Sequence, residues 1–241
     1  MTLTSQEKKS TILGVVKIAK RTKLKNRELP RYTRAEETVN MITHIVGGAF
    51  GIGALILCVV TAIYHRNMWG LAGGIVYGVS MILVYSISSV YHGLRPVMAK
   101  KVMQIIDHCS VYLLIAGSYT PPLLSGIRKY NTILCFVVLA LVWSGSIFGI
   151  IFKAIDLYKY RVLTMFCYFA VGWSMIFLIK PLLAVFPLRF LGWIFSGGIV
   201  YTLGMIFFSI GRKKPYFHSI FHLFILGGSI LQFFGILFYC M

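Results

Sequence analysis

The chain has 241 residues, of which 58% are hydrophobic and only 12% charged. Ordinary soluble domains carry roughly 25% charged residues, so the composition excludes that class and points to an integral membrane protein. The formal charge of +18 does not call for a nucleic-acid partner, because the basic residues lie in a leading segment and in short gaps between apolar runs, the pattern of membrane topology.

Residues 1–41 form a basic N-terminal segment with ten Lys or Arg and four Glu. Within it, 11–18 is mildly apolar and is followed closely by lysines. That pattern fits an interfacial amphipathic helix or a disordered tail, and either would lie against anionic lipid. The segment lacks the apolar core and small-residue cleavage site of a signal peptide. Pro30 punctuates it, and Thr33 with Glu36 or Glu37 close behind reads as a helix N-terminus.

Seven apolar runs follow, near 42–64, 69–92, 103–125, 131–152, 161–179, 190–210 and 218–240. Each is long enough to cross about 30 Å of hydrocarbon as a helix, at roughly 1.5 Å per residue. Helices are the assignment that pairs all backbone groups in lipid, so the expected fold is an all-α seven-transmembrane helix bundle over 42–241. Gly47, Gly48, Gly51 and Gly53 predict close helix packing in the first span, and Pro121 with Pro122 should kink or end the third. The five cysteines are odd in number, lie in apolar runs and show no Cys-x-x-Cys spacing, so they read as small buried hydrophobes.

Counting Lys and Arg sets the expected orientation. Alternate gaps place 19 on the side of the N-terminus and 5 on the other. The N-terminus is therefore expected in the cytoplasm and the C-terminus outside.

Polar residues inside the runs are few. Asp107 is the one acidic residue inside an expected span; its partner is either a metal, a cation or a structural hydrogen bond. His44, His92, His108, His218 and His222 all fall near the expected cytoplasmic boundary, and only His65 lies at the opposite face. His218 and His222 sit four apart on one helical face, either as two unrelated polar residues or as imidazoles sharing one ion. His92 approaches from the second span and Asp107 from the third at similar depth. Three imidazoles with one position left for water suit a catalytic zinc centre. Asp107 then ligates or holds the water, and Ser88, one turn from His92, either bonds to the site or bonds back to its own helix. His108 lies about 100° around the helix from Asp107 and reads as a supporting or structural residue. Glu37, Asn40 and His44 form one stripe, either a polar support for the site or a solvated helix start.

Four blocks now carry a resemblance: Glu37 to His44, Ser88 to His92, Asp107-His108 through Pro121, and His218 to His222. In order and spacing the chain resembles the hemolysin III family of bacterial membrane proteins, within the superfamily of adiponectin and progestin receptors and alkaline ceramidases. The resemblance covers the chain from about residue 36 onward. It implies a seven-helix bundle with an intramembrane zinc near the cytoplasmic face, held by His92, His218 and His222, with Asp107 and Ser88 beside it. It also implies an association with lipid-amide hydrolysis, cytolysis or membrane-lipid homeostasis.

Two functions follow from these observations. One is a zinc-dependent hydrolase of the plasma membrane acting on a lipid amide or ester, with substrate entering from the bilayer. The other is a non-enzymatic sensor, receptor-like regulator or cytolytic protein in which zinc only ties helices together. No polar stripe crosses the centre of any run, which disfavours a preformed wide pore.

Overall fold

A computed structural model describes residues 22–211 and 214–241. The apolar stretch at 11–18 lies outside the described residues. Among the described residues the chain passes back and forth in seven helical segments: α1 (Arg34–Tyr64), α2 (Met68–Gly93), α3 (Val97–Pro122), α4 (Thr132–Ile155), α5 (Arg161–Trp173), α6 (Leu188–Ile210) and α7 (Phe217–Cys240). No strand occurs among the described residues. Six of the passes are long and apolar enough to cross a membrane; α5 qualifies together with the helical turns that extend it to Val185. The exception is α3, which carries Lys100, Lys101, Gln104, Asp107 and His108. The protein is a multi-pass membrane protein.

Local chemistry sets the helix ends. Thr33 and Glu36 form a reciprocal capping box, so α1 begins at Arg34, ahead of the apolar run. Asn67 and Asn131 cap α2 and α4 by accepting the N–H groups of Gly70 and Leu134. Pro121 and Pro122 end the regular part of α3, but the chain stays helical through a π turn over Leu123–Ile127. A wider turn accommodates the hydrogen bonds that the prolines cannot make. The fifth pass is also interrupted: a 3-10 turn at Ser174–Leu178 joins α5 to a short helix over Ile179–Val185.

α2 packs between α1 and α3, α4 lies on α3, α5 on α4, and α7 joins α6 to α1 and α3. The outer face of α1 exposes Ile45, Ile56, Val60 and Ile63, an inversion of the soluble pattern that suits lipid. The interior is filled by large side chains such as Tyr77, Met81, Tyr85, Tyr112 and Phe233. Gly47 allows α1 to approach α2, since a Cβ there would lie 2.5 Å from the Tyr85 ring. Gly53 faces no atom within 4 Å, so it has no packing role of the kind expected for it.

At the end of the bundle holding the α1–α2 turn, the chain terminus is tied down by main-chain oxygens. Asn67 Nδ2 donates to the Cys240 carbonyl at 2.9 Å, and His65 Nδ1 meets a main-chain oxygen of Met241 at 3.2 Å. Arg128 stacks over Trp69 nearby.

Candidate metal centre

The other end gathers imidazoles. α7 starts there after Tyr216, whose backbone is left-handed at φ 60° and whose N–H donates to Glu36 Oε1 at 2.8 Å. This contact fixes the first turn of α7 against the capped start of α1. Helical periodicity then stacks His218 and His222, with their Nε2 atoms 3.0 Å apart. His92, in the last turn of α2, brings its ring centroid to 5.4 Å from His218 and 5.0 Å from His222. One ring nitrogen from each of the three lies within 4.8 Å of the others, and all three residues are buried. A tetrahedral zinc with bonds of about 2.0–2.1 Å separates its donors by roughly 3.3–3.4 Å. The three imidazoles bracket that spacing and fit such an ion after small side-chain movements.

The state of the ring nitrogens supports the fit. His92 Nδ1 meets Glu37 Oε2 at 2.6 Å, which leaves its buried Nε2 without a hydrogen-bond partner. Donating Nδ1–H to a carboxylate presents the Nε2 lone pair to an ion. Lys100 Nζ lies 2.7 Å from the second oxygen of the same carboxylate. The stripe on α1 continues inward. Asn40 Oδ1 accepts from Ser219 of α7 at 2.6 Å. His44 stands edge-on to His222 at 3.9 Å, with both of its buried ring nitrogens unpartnered. The stripe therefore faces the histidine cluster and is not a solvated helix start.

Ser88 lies on the His92 side of α2, on the same cavity wall as the Asp107 carboxyl. Both residues line a cavity of about 190 Å³, together with His44, His108, His218 and His222. His108 sits on the α6 side of that cavity, its ring 5.9 Å from Phe208. The cavity runs on between α3, α5, α6 and α7 to Trp173 and Gln232, so most of its wall is apolar. Gln232 Oε1 is buried there without a hydrogen-bond partner.

A strap formed by residues 22–33 passes under this end. Thr22 N–H donates to Asp156 Oδ2 at 2.7 Å, Arg27 donates to the Ile155 carbonyl at 3.1 Å, and the Tyr158 hydroxyl donates to the Glu28 carbonyl. Burial pushes the Asp156 carboxyl up, but N–H donors from Thr22, Lys159 and Tyr158 outweigh it and hold the pKa down at about 2. Pro30 and Tyr32 of the strap face the cavity, and the Tyr32 ring stacks on His218 at 4.9 Å.

Several contributors escaped the sequence reading. From the sequence, Lys100 reads only as a positive charge of membrane topology. Glu36 was recognisable as a cap, but nothing marked its reach to Tyr216. Tyr32 has no sequence signature at all.

A family model described as "Haemolysin-III related" matches residues 32–233. The chain is 39% identical to the "Hemolysin-3 homolog" of Bacillus subtilis (strain 168) over 210 residues, covering 87% of this chain and 97% of the relative. It is 40% identical to "Hemolysin-3" of Bacillus cereus over 206 residues, 86% and 92% of the two chains. A more distant relative, the human "Monocyte to macrophage differentiation factor", is 26% identical over 219 residues and 83% of each chain. On the family match and these identities, the chain belongs to the haemolysin III-related family of membrane proteins.

Proposed function

We propose that this protein is a zinc-dependent hydrolase of the plasma membrane, acting on an amide or ester bond of a membrane lipid, with its N-terminus and its histidine cluster on the cytoplasmic side. One observation carries this reading. Of three convergent buried imidazoles, those of His218 and His222 open, beside Ser88 and Asp107, onto a mostly apolar cavity between helices. A purely structural tie between helices has no need of a carboxyl and a cavity at the same place. Positive residues concentrated at the histidine end support the orientation.

His92, His218 and His222 would hold the ion. Zinc supplies, when bound, Lewis-acid chemistry: it polarises a carbonyl and acidifies water to a pKa of roughly 7. The chain's own groups do the rest. Asp107, with Ser88 on the same cavity wall, accepts the proton of the attacking water at a carboxylate oxygen and returns it to the leaving amine or alkoxide. The cavity wall along α3, α5, α6 and α7 receives the acyl chain and excludes bulk water. Tyr32, stacked on His218, shields the site on the strap side.

The test is metal analysis combined with a panel of lipid amides and esters. Asp107→Ala should keep its zinc and lose at least about 10²-fold in hydrolysis. A zinc-loaded wild type inert toward the whole panel would sink the reading.

His44 favours a second reading. A fourth buried imidazole beside His222 is the kind of group that closes a four-ligand structural site. In that case the protein is a non-enzymatic sensor or a cytolytic protein, the latter in keeping with the name of its Hemolysin-3 relatives. His44→Ala would then lower zinc affinity as strongly as His92→Ala, whereas a catalytic site leaves it nearly unchanged.

A further inference from the structure

The ammonium group of Lys100 occupies an unusual place. It stands in the first turns of α3, where the helix dipole opposes a positive charge. The residue is only 9% exposed. Its Nζ lies 2.7 Å from Glu37 Oε1, 3.3 Å from the His92 carbonyl and 3.2 Å from the Leu94 carbonyl. An ammonium has three donors, and here each has an acceptor. The two carbonyls belong to the C-terminal end of α2, where a dipole favours a cation. What α3 loses by carrying the charge, the end of α2 gains.

All three contacts converge on one residue. Through Glu37, whose other oxygen is 2.6 Å from His92 Nδ1, Lys100 acts on the imidazole. Through the carbonyls of His92 and Leu94, it acts on the backbone that carries that imidazole. One side chain from α3 thus links the carboxylate of α1 to the metal-facing turn of α2.

We propose that Lys100 is a positioning residue for the metal centre: it holds Glu37 as the acceptor of His92 Nδ1–H and pins the His92 backbone, so that Nε2 stays aimed at the ion. The effect is one of aim and tautomer. A carboxylate at the membrane boundary with no cation beside it divides its hydrogen bonds between the imidazole and water, and the ring then samples other orientations. The Lys100 ammonium closes that freedom from the side of Glu37 that His92 does not use. The inference rests on the metal-binding part of the proposed function and is independent of hydrolysis.

The experiment is a competitive Zn2+ titration of the purified full chain in detergent, with Co2+ substitution as a spectroscopic readout. The variants are Lys100→Met, Lys100→Arg, Glu37→Gln and the double variant. Loss of an outer hydrogen-bond partner of a metal-ligating histidine weakens metal binding by about 10–100-fold. Lys100→Met should fall in that range and shift the visible Co2+ spectrum. Lys100→Arg keeps a cation and donors and should stay within about 3-fold of the wild type. Once Glu37 is a neutral amide, the cation keeps only its two backbone carbonyls, so Lys100→Met should cost less when added to Glu37→Gln than it costs in the wild type.

Zinc affinity and Co2+ spectrum unchanged in Lys100→Met overturn the proposal. So do independent, multiplying effects of the two single changes. If Lys100→Met does not fold, the arginine variant and its Co2+ spectrum decide: wild-type behaviour supports the proposal and a loss equal to that of Glu37→Gln overturns it. A wild type that binds no zinc overturns both this proposal and the proposed function, whereas one that binds zinc but cleaves no lipid overturns the hydrolase reading alone.

Discussion

The two ends of the bundle use the same residue types for different ends. At one, His65 meets a main-chain oxygen of Met241, and Asn67 divides its amide between a helix cap and the Cys240 carbonyl. At the other, His92 is held by a carboxylate, Asn40 by a serine, and ring nitrogens of His44, His92 and His222 remain unpartnered in the interior. Buried polar groups nearly always find partners, so unsatisfied nitrogens gathered in one place mark a site for something else. A histidine is thus a closure at one end and a donor in waiting at the other. The surrounding partners, more than the side chain itself, decide which.

Breaking the donor end should give the largest effect. His218→Ala removes one of three convergent nitrogens, and zinc content measured by elemental analysis should fall from near one equivalent to near zero. His65→Ala at the opposite end should leave zinc content unchanged. Equal loss in both variants would mean that metal binding only reports folding, and the contrast between the ends would collapse.

A smaller effect is expected from Asn67→Ala. That change removes a helix cap and the tie to the Cys240 carbonyl together. Loss of an N-cap costs about 1 kcal/mol, so the variant should melt lower while binding zinc with unchanged affinity. A weakened zinc site in this variant would show that the two ends are coupled through the bundle.

Much of this division was legible in the sequence, though unevenly. Hydropathy marks most passes because a helix in contact with lipid must shed its polar groups, whereas α3 keeps Lys100, Lys101, Gln104, Asp107 and His108. The 3.6-residue period and the alternation of passes suffice to bring His92, His218 and His222 to one end. Hydropathy does not register what leaves the mean apolarity unchanged. The 3-10 turn at Ser174–Leu178 lies in a continuously apolar run. The π turn after Pro122 keeps the pass helical where a stop or kink was expected. Partner choice was equally hidden: Lys100 reads as one more positive charge at a boundary, and only the fold shows it turned back onto Glu37. The strap at 22–33 is held by the side chains of Arg27, Asp156 and Tyr158, each paired with a backbone group that carries no sequence signature.

That strap gives the smallest and most conditional expected effect. The donor end is closed partly by the bond from Thr22 N–H to Asp156, whereas the opposite end is closed by neutral groups around Cys240. The Asp156 carboxyl titrates at about 2 in the folded protein, below the roughly 3.9 of a free aspartate. A depressed carboxylate stabilises the folded state fully above its unfolded pKa, and this contribution fades as pH falls from about 4 through about 2. Protonation in that window should loosen the strap at its Thr22 end. Limited proteolysis should therefore cut near residue 22 faster as pH falls from 4 toward 2. Asp156→Asn should be cut at a nearly constant, faster rate throughout that window, with the C-terminal end of α7 unaffected in both. A wild-type cleavage rate that stays flat across the window would show that the Asp156 charge does not hold the strap, and that its contacts to Ile155 and Tyr158 suffice.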